Sequence, residues 1–100
     1  MVINIIFSTE DPKIFIIPSK DVFQVEPGGL WNVTCKATGK PMPFVHWRKE
    51  KTQEVVTPKR RVPEGVMLTI SSVTEADVGK YICVAENSQD VTTAHVKLVG

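Results

Sequence analysis

The chain has 100 residues, 42% hydrophobic and 23% charged, with a formal net charge of +1. That is the size and composition of one globular domain with a single core. The balance of charge gives no bulk field to attract a nucleic acid or a membrane surface. No apolar run approaches the roughly 18 residues that a membrane helix needs.

The start, Met1 to Phe7, is apolar but lacks a basic lead and a small-residue cleavage site. It is not read as a signal peptide, and the chain is expected to be a piece of a longer protein. Residues 1–11 stand outside the pattern that follows, as an N-terminal extension, a linker or added sequence. Glu10-Asp11-Pro12 marks the boundary, which leaves 12–100 as the domain. A β-prone apolar tail of this kind is expected to pair with something.

From there the periodicity is two, with Pro and Gly as punctuation. Ile14 to Ile17 is a predicted strand ended by Pro18, and Val22 to Glu26 a weaker one before Pro27-Gly28-Gly29. Trp31, Val33, Cys35 and Ala37 alternate with polar residues, as a half-buried strand does. Gly39 to Pro43 breaks it, and Val45 and Trp47 alternate with His46 and Arg48 in the next. Lys49 to Arg61 is polar and basic around the short pair Val55-Val56. Val66, Leu68 and Ile70 form another alternating set, followed by a turn-rich crossing from Ser71 to Gly79. Tyr81, Cys83 and Ala85, then Ala94, Val96 and Leu98, complete the series. Seven short strands without a helical period define an all-β antiparallel sandwich or barrel.

The two cysteines stand 48 residues apart, too far for a redox CxxC and too few for a zinc site. The spacing leaves two possibilities, a long-range disulfide or two buried thiols. Trp47 follows the first cysteine by 12 residues, and Tyr81 precedes the second by two.

The run Cys35-Lys-Ala37-Thr-Gly39-Lys-Pro41-Met-Pro43-Phe-Val45-His-Trp47 resembles the B–C region of I-set immunoglobulin domains. Leu68-Thr-Ile70-Ser-Ser-Val73 is similar to their E strand. Asp77-Val-Gly79-Lys-Tyr81-Ile-Cys83-Val-Ala85-Glu-Asn87 is similar to their E–F corner and F strand. The resemblance covers residues 12 to 99. It implies an immunoglobulin-like antiparallel β-sandwich of two sheets with Greek-key connections, in which a Cys35–Cys83 disulfide joins the sheets under Trp47. Leu68 would lie on the E strand, Tyr81 would close the corner, and Asp77 would pair with Arg60 or Arg61. In muscle domains of this set the same two cysteines are packed thiols, and that alternative stays open. Two departures stand out. Trp31 fills an inward position usually held by a small aliphatic residue. The Asn87-Ser-Gln-Asp90 turn lacks the usual glycine, but Asn and Asp tolerate the left-handed conformation, so a tight hairpin is still expected.

Candidate sites are few. Asn32-Val33-Thr34 is an N-glycosylation triplet whose alternation points Asn32 outward, although such triplets also arise by chance. Arg48, Lys49, Lys51, Lys59, Arg60 and Arg61 crowd one segment with only Glu50 and Glu54 among them. They form a candidate patch for heparan sulfate or an acidic partner, or simply a solvated edge. His46 and His95 are expected on outward positions of two strands that flank a third, as surface histidines rather than a metal pair. Met42 and Phe44 either anchor a partner or plug the sandwich against Trp31.

No nucleophile motif or phosphate-binding loop is visible, so no enzymatic activity and no cofactor is expected. Aromatics do not interleave with the basic cluster, which argues against nucleic acid. The expected function is non-catalytic protein–protein recognition in an extracellular adhesion molecule, receptor or matrix protein. The partner would be another protein, a further copy or a neighbouring immunoglobulin domain, without membrane insertion. The rivals are an intracellular structural module of a muscle or cytoskeletal giant and a heparan-sulfate-binding domain.

Overall fold

A computed structural model describes residues 8–100, so the expected pairing of the tail before Ser8 lies outside the described residues. Alternation along each strand sorts the side chains into two layers. The strands are β1 (Glu10–Ile17), β2 (Val22–Gln24), β3 (Trp31–Lys40), β4 (Phe44–Lys49), β5 (Val66–Ile70), β6 (Gly79–Glu86) and β7 (Val91–Val99). They make a three-stranded sheet ordered β1-β3-β5 and a four-stranded sheet ordered β2-β7-β6-β4. All pairs are antiparallel except β2 with β7. The result is the expected all-β immunoglobulin-like sandwich. β1 begins at Glu10, opposite Lys40, two residues ahead of the boundary drawn from the sequence.

The inward residues of both sheets meet in one core. Trp31, Val33 and Cys35 of β3 and Val66 and Leu68 of β5 face Val45, Trp47, Tyr81, Cys83, Ala85, Val96 and Leu98. A Cys35–Cys83 disulfide crosses between the sheets, with its Cα atoms 6.5 Å apart. Trp47 is fully buried beside it, and its indole N–H donates to the Val66 carbonyl of the opposite sheet at 3.0 Å. That bond satisfies the one polar atom the ring carries inside and ties the sheets a second time.

Trp31 is buried among aromatic rings. Its ring lies 5.6 Å from Phe23 and 5.1 Å, edge-on, from Tyr81. The Tyr81 hydroxyl donates to the Asp77 carbonyl at 2.6 Å and closes the corner before β6. Met42 and Phe44 do not plug this end. Trp31 starts the ten-residue β3, and Met42 and Phe44 follow its far end, 39% and 43% exposed. Among the three, only Pro43 turns inward.

The basic segment between β4 and β5 forms no strand, only isolated bridges from Val45 to Arg60 and from Arg48 to Val55. It nevertheless occupies the edge of β4. Val45 exchanges both backbone bonds with Arg60, the Trp47 carbonyl accepts from Val56, and the Trp47 N–H donates to Thr57 Oγ1. An edge covered in this way offers no ladder for a stray strand.

Candidate recognition surface

The register of β4, β6 and β7 aligns their outward side chains in rows. Phe44, Glu86 and Val91 form one row; His46, Val84 and Thr93 the next; Arg48, Ile82 and His95 a third. Lys80 and Lys97 follow as direct partners. The rows combine aliphatic and aromatic surface with cations and the Glu86 carboxylate.

Phe44 is exposed on this face. The Arg61 guanidinium carbon stands 4.1 Å from its ring centroid. A cation over an aromatic face is attracted by the ring quadrupole and restrains both side chains before any partner arrives.

His46 departs from expectation. Its position alternates outward, yet the residue is only 3% exposed. The Arg48 guanidinium lies against it, with Nη2 3.2 Å from His46 Nε2 and Nη1 donating to Gln53 Oε1 at 3.0 Å. Burial, then the charges of Arg48 and Lys59, hold the imidazole below its ordinary 6.5, with Glu86 opposing them. A neutral ring can accept the Arg48 proton at Nε2. His46 therefore supports the face from beneath, and among the described residues no set of three metal-ligating side chains gathers.

The six cations do not form one patch. Arg48 is committed to His46 and Gln53. Lys59 stands close enough to act on His46, and Arg61 covers Phe44. Arg60 lines the opposite side of the segment with Val62, Glu64 and Met67, towards β5. Lys49 donates to the Ala76 carbonyl at 2.6 Å and, with Lys51 and Lys80, borders a separate depression at the corner end. Nor does an Arg–Asp pair form at the corner. The Asp77 carboxylate accepts from the Thr74 N–H and hydroxyl at 2.8 and 3.1 Å and caps the short 3-10 turn Glu75–Asp77.

Asn87, read from the sequence as a turn residue, also works through its side chain. Its Nδ2 donates to the carbonyls of Glu10 and Pro41, at 2.8 and 3.0 Å, and its Oδ1 accepts from the N–H groups of Gln89 and Asp90. One amide thus joins β1, the β3–β4 connection and the β6–β7 turn. That turn needs no left-handed residue: among the described residues Gln53 alone, apart from glycine, has positive φ. The Asn87 side chain closes the hairpin in place of that conformation. Asn32 lies on the other sheet, outward and exposed on β3.

A two-layer sandwich with a filled, bridged core and a face mixing apolar and cationic groups has the form of a recognition domain. Comparison with known proteins gives it a family. A family model described as "Immunoglobulin domain" matches residues 11–87. The chain is 35% identical over 91 residues to "Protein turtle homolog B" of Rattus norvegicus, covering 89% of this chain and 7% of that protein. It is 40% identical over 74 residues to "Tyrosine-protein phosphatase Lar" of Drosophila melanogaster, covering 73% and 4%. The crystal structure of "Down Syndrome Cell Adhesion Molecule (DSCAM) isoform 1.30.30, N-terminal eight Ig domains" superposes with a TM-score of 0.72 at 27% identity, covering 90% of this chain and 12% of that one. The chain belongs to the immunoglobulin-domain family. It spans less than a tenth of the length of these curated relatives, and such relatives support an extracellular recognition module in general.

Proposed function

We propose that the chain is a non-catalytic, I-set-type recognition module of an extracellular multidomain adhesion molecule, receptor or matrix protein. Residues ahead of β1 act as an extension or linker. It meets a protein partner, a second copy or a neighbouring domain through the outer face of β4, β6 and β7. The observation that carries this reading is the Phe44–Arg61 pair: an exposed aromatic, held by an arginine 4.1 Å from its ring, in a row with Glu86 and the exposed Val91. Restrained aromatic and arginine side chains contribute disproportionately to interfaces, because little entropy remains to be lost on docking.

The test is binding of the multimerised chain to a panel of extracellular domains, this chain included. Phe44→Ala or Arg61→Ala should weaken any specific binding by at least about tenfold, with an unchanged melting temperature. Full binding by both variants contradicts the assignment of the face.

Lys59 and Arg61, on the same side of the segment, favour heparan sulfate as a second reading. Heparin retention that falls with salt and is lost in Lys59→Ala/Arg61→Ala, but not in Arg60→Ala, would support it.

A further inference from the structure

We propose that Asn32 carries an N-linked glycan whose first sugars lie over Ile17 and Met67, closing that end of the three-stranded sheet to partners. Three observations converge. Asn32 and Thr34 are both on the outward side of β3, and Asn32 is exposed. The same face shows three large apolar side chains to solvent, Phe15 at 52%, Ile17 at 46% and Met67 at 57% exposure, of which Ile17 and Met67 lie at the Asn32 end. The register sets these two on either side of Thr34: Ile17 opposite it on β1 and Met67 opposite it on β5. Asn32, opposite Thr69, is diagonal to Met67, a separation of about 7–8 Å that side chains span across a sheet. β1 ends its pairing at Ile17, so no strand lies beside Asn32 on that side.

Attachment joins Asn32 Nδ2 to the anomeric carbon of the reducing-end sugar. The bond from that carbon to the phosphate oxygen of a lipid-pyrophosphate-linked oligosaccharide breaks. The lipid pyrophosphate leaves, and the amide gives up one proton to a base. The acceptor must be reached before β3 is locked in its ladders. Cys35, one residue after Thr34, waits for Cys83, 48 residues later, so the disulfide that fixes this strand closes only after the sequon has emerged.

A pyranose presents an apolar C–H face that can rest on Ile17 and Met67 and remove them from water. The glycan would thereby cover an apolar patch that otherwise invites association between copies. It would also leave the four-stranded face as the open one. This inference rests on the extracellular reading above, and the test supplies the secretory route itself so that the two can fail separately.

The chain is directed to secretion from a eukaryotic cell by an added leader, and its intact mass is measured before and after enzymatic removal of N-glycans. A glycan on Asn32 that disappears in Asn32→Gln and in Thr34→Ala is expected. Secreted protein with an unmodified Asn32 overturns the site and leaves the Phe44–Arg61 face untouched. Peroxide oxidation is then followed at Met67 in glycosylated and enzymatically deglycosylated protein, which avoids dependence on variants that fail to fold. Met67 should oxidise severalfold more slowly under the glycan, while Met42, at the far end of β3, oxidises equally in both forms. Equal rates at Met67 overturn the covering of the face.

Discussion

His46 shows how a neighbour changes what a side chain does. Alternation on β4 points it to solvent, but the Arg48 guanidinium lies against it, the ring is buried, and burial with the charges of Arg48 and Lys59 disfavours a proton. The unfolded chain therefore binds this proton more readily than the folded one. The resulting stability is complete above 6.5, the ordinary imidazole value, and is lost as the pH falls through that value towards the lowered one. The melting temperature should decrease between about pH 7.5 and about pH 5.5, and His46→Gln, which can still accept from Arg48, should make that decrease shallower. An identical decrease in the variant would mean that other groups carry it. Tyr81 moves the other way: burial, then the Asp77 charge, push its phenol up to about 12. It is a structural hydroxyl, donating to the Asp77 carbonyl throughout the physiological range.

Strands and turns divide by what decides them. β3 was legible because each residue's exposure follows its parity, buried at Trp31, Val33 and Cys35 and open at Asn32 and Lys36. The segment after β4 was not, since long-range partners on β4, rather than its own pattern, satisfy its backbone. The parallel pairing of β2 with β7 likewise depends on where the chain lands after Pro18, and no local alternation states it. Gly65 marks the approach to β5. Its φ is +90°, and a Cβ there would stand 2.5 Å from the Cys35 carbonyl oxygen. Backbone conformation and close approach both require glycine. Gly65→Ala should cost more than about 1 kcal/mol, read as a lower denaturation midpoint at unchanged slope. An unaffected midpoint would mean that β3 and β5 yield at this point.

For the fold taken entire, a few residues carried most of the information. Cys35, Trp47, Tyr81 and Cys83 have the order and spacing of a bridged sandwich, and the structure sets them around one core. The recognition face was much less legible. Six cations within residues 48–61 separate between the Phe44–His46 side, the β5 side and the corner end, and the Phe44–Arg61 contact spans residues 17 apart. Asn87 joins β1 and two connections that only the folded sandwich brings together. Side-chain direction at an irregular edge is a tertiary property, and no strand period announces it.

The compartment depends on the sulfur bond. An extracellular module keeps the bridge, whereas an intracellular structural module would hold two packed thiols. Protein from secreting cells should be unfolded without reductant, its free thiols counted, and its melting compared with and without reductant. The expected result is no free thiol, with a melting temperature that falls on the order of 20 °C upon reduction, as follows from about 4 kcal/mol for a loop of this length in a domain of this size. Two free thiols and melting indifferent to reductant would contradict the extracellular account and favour the intracellular one.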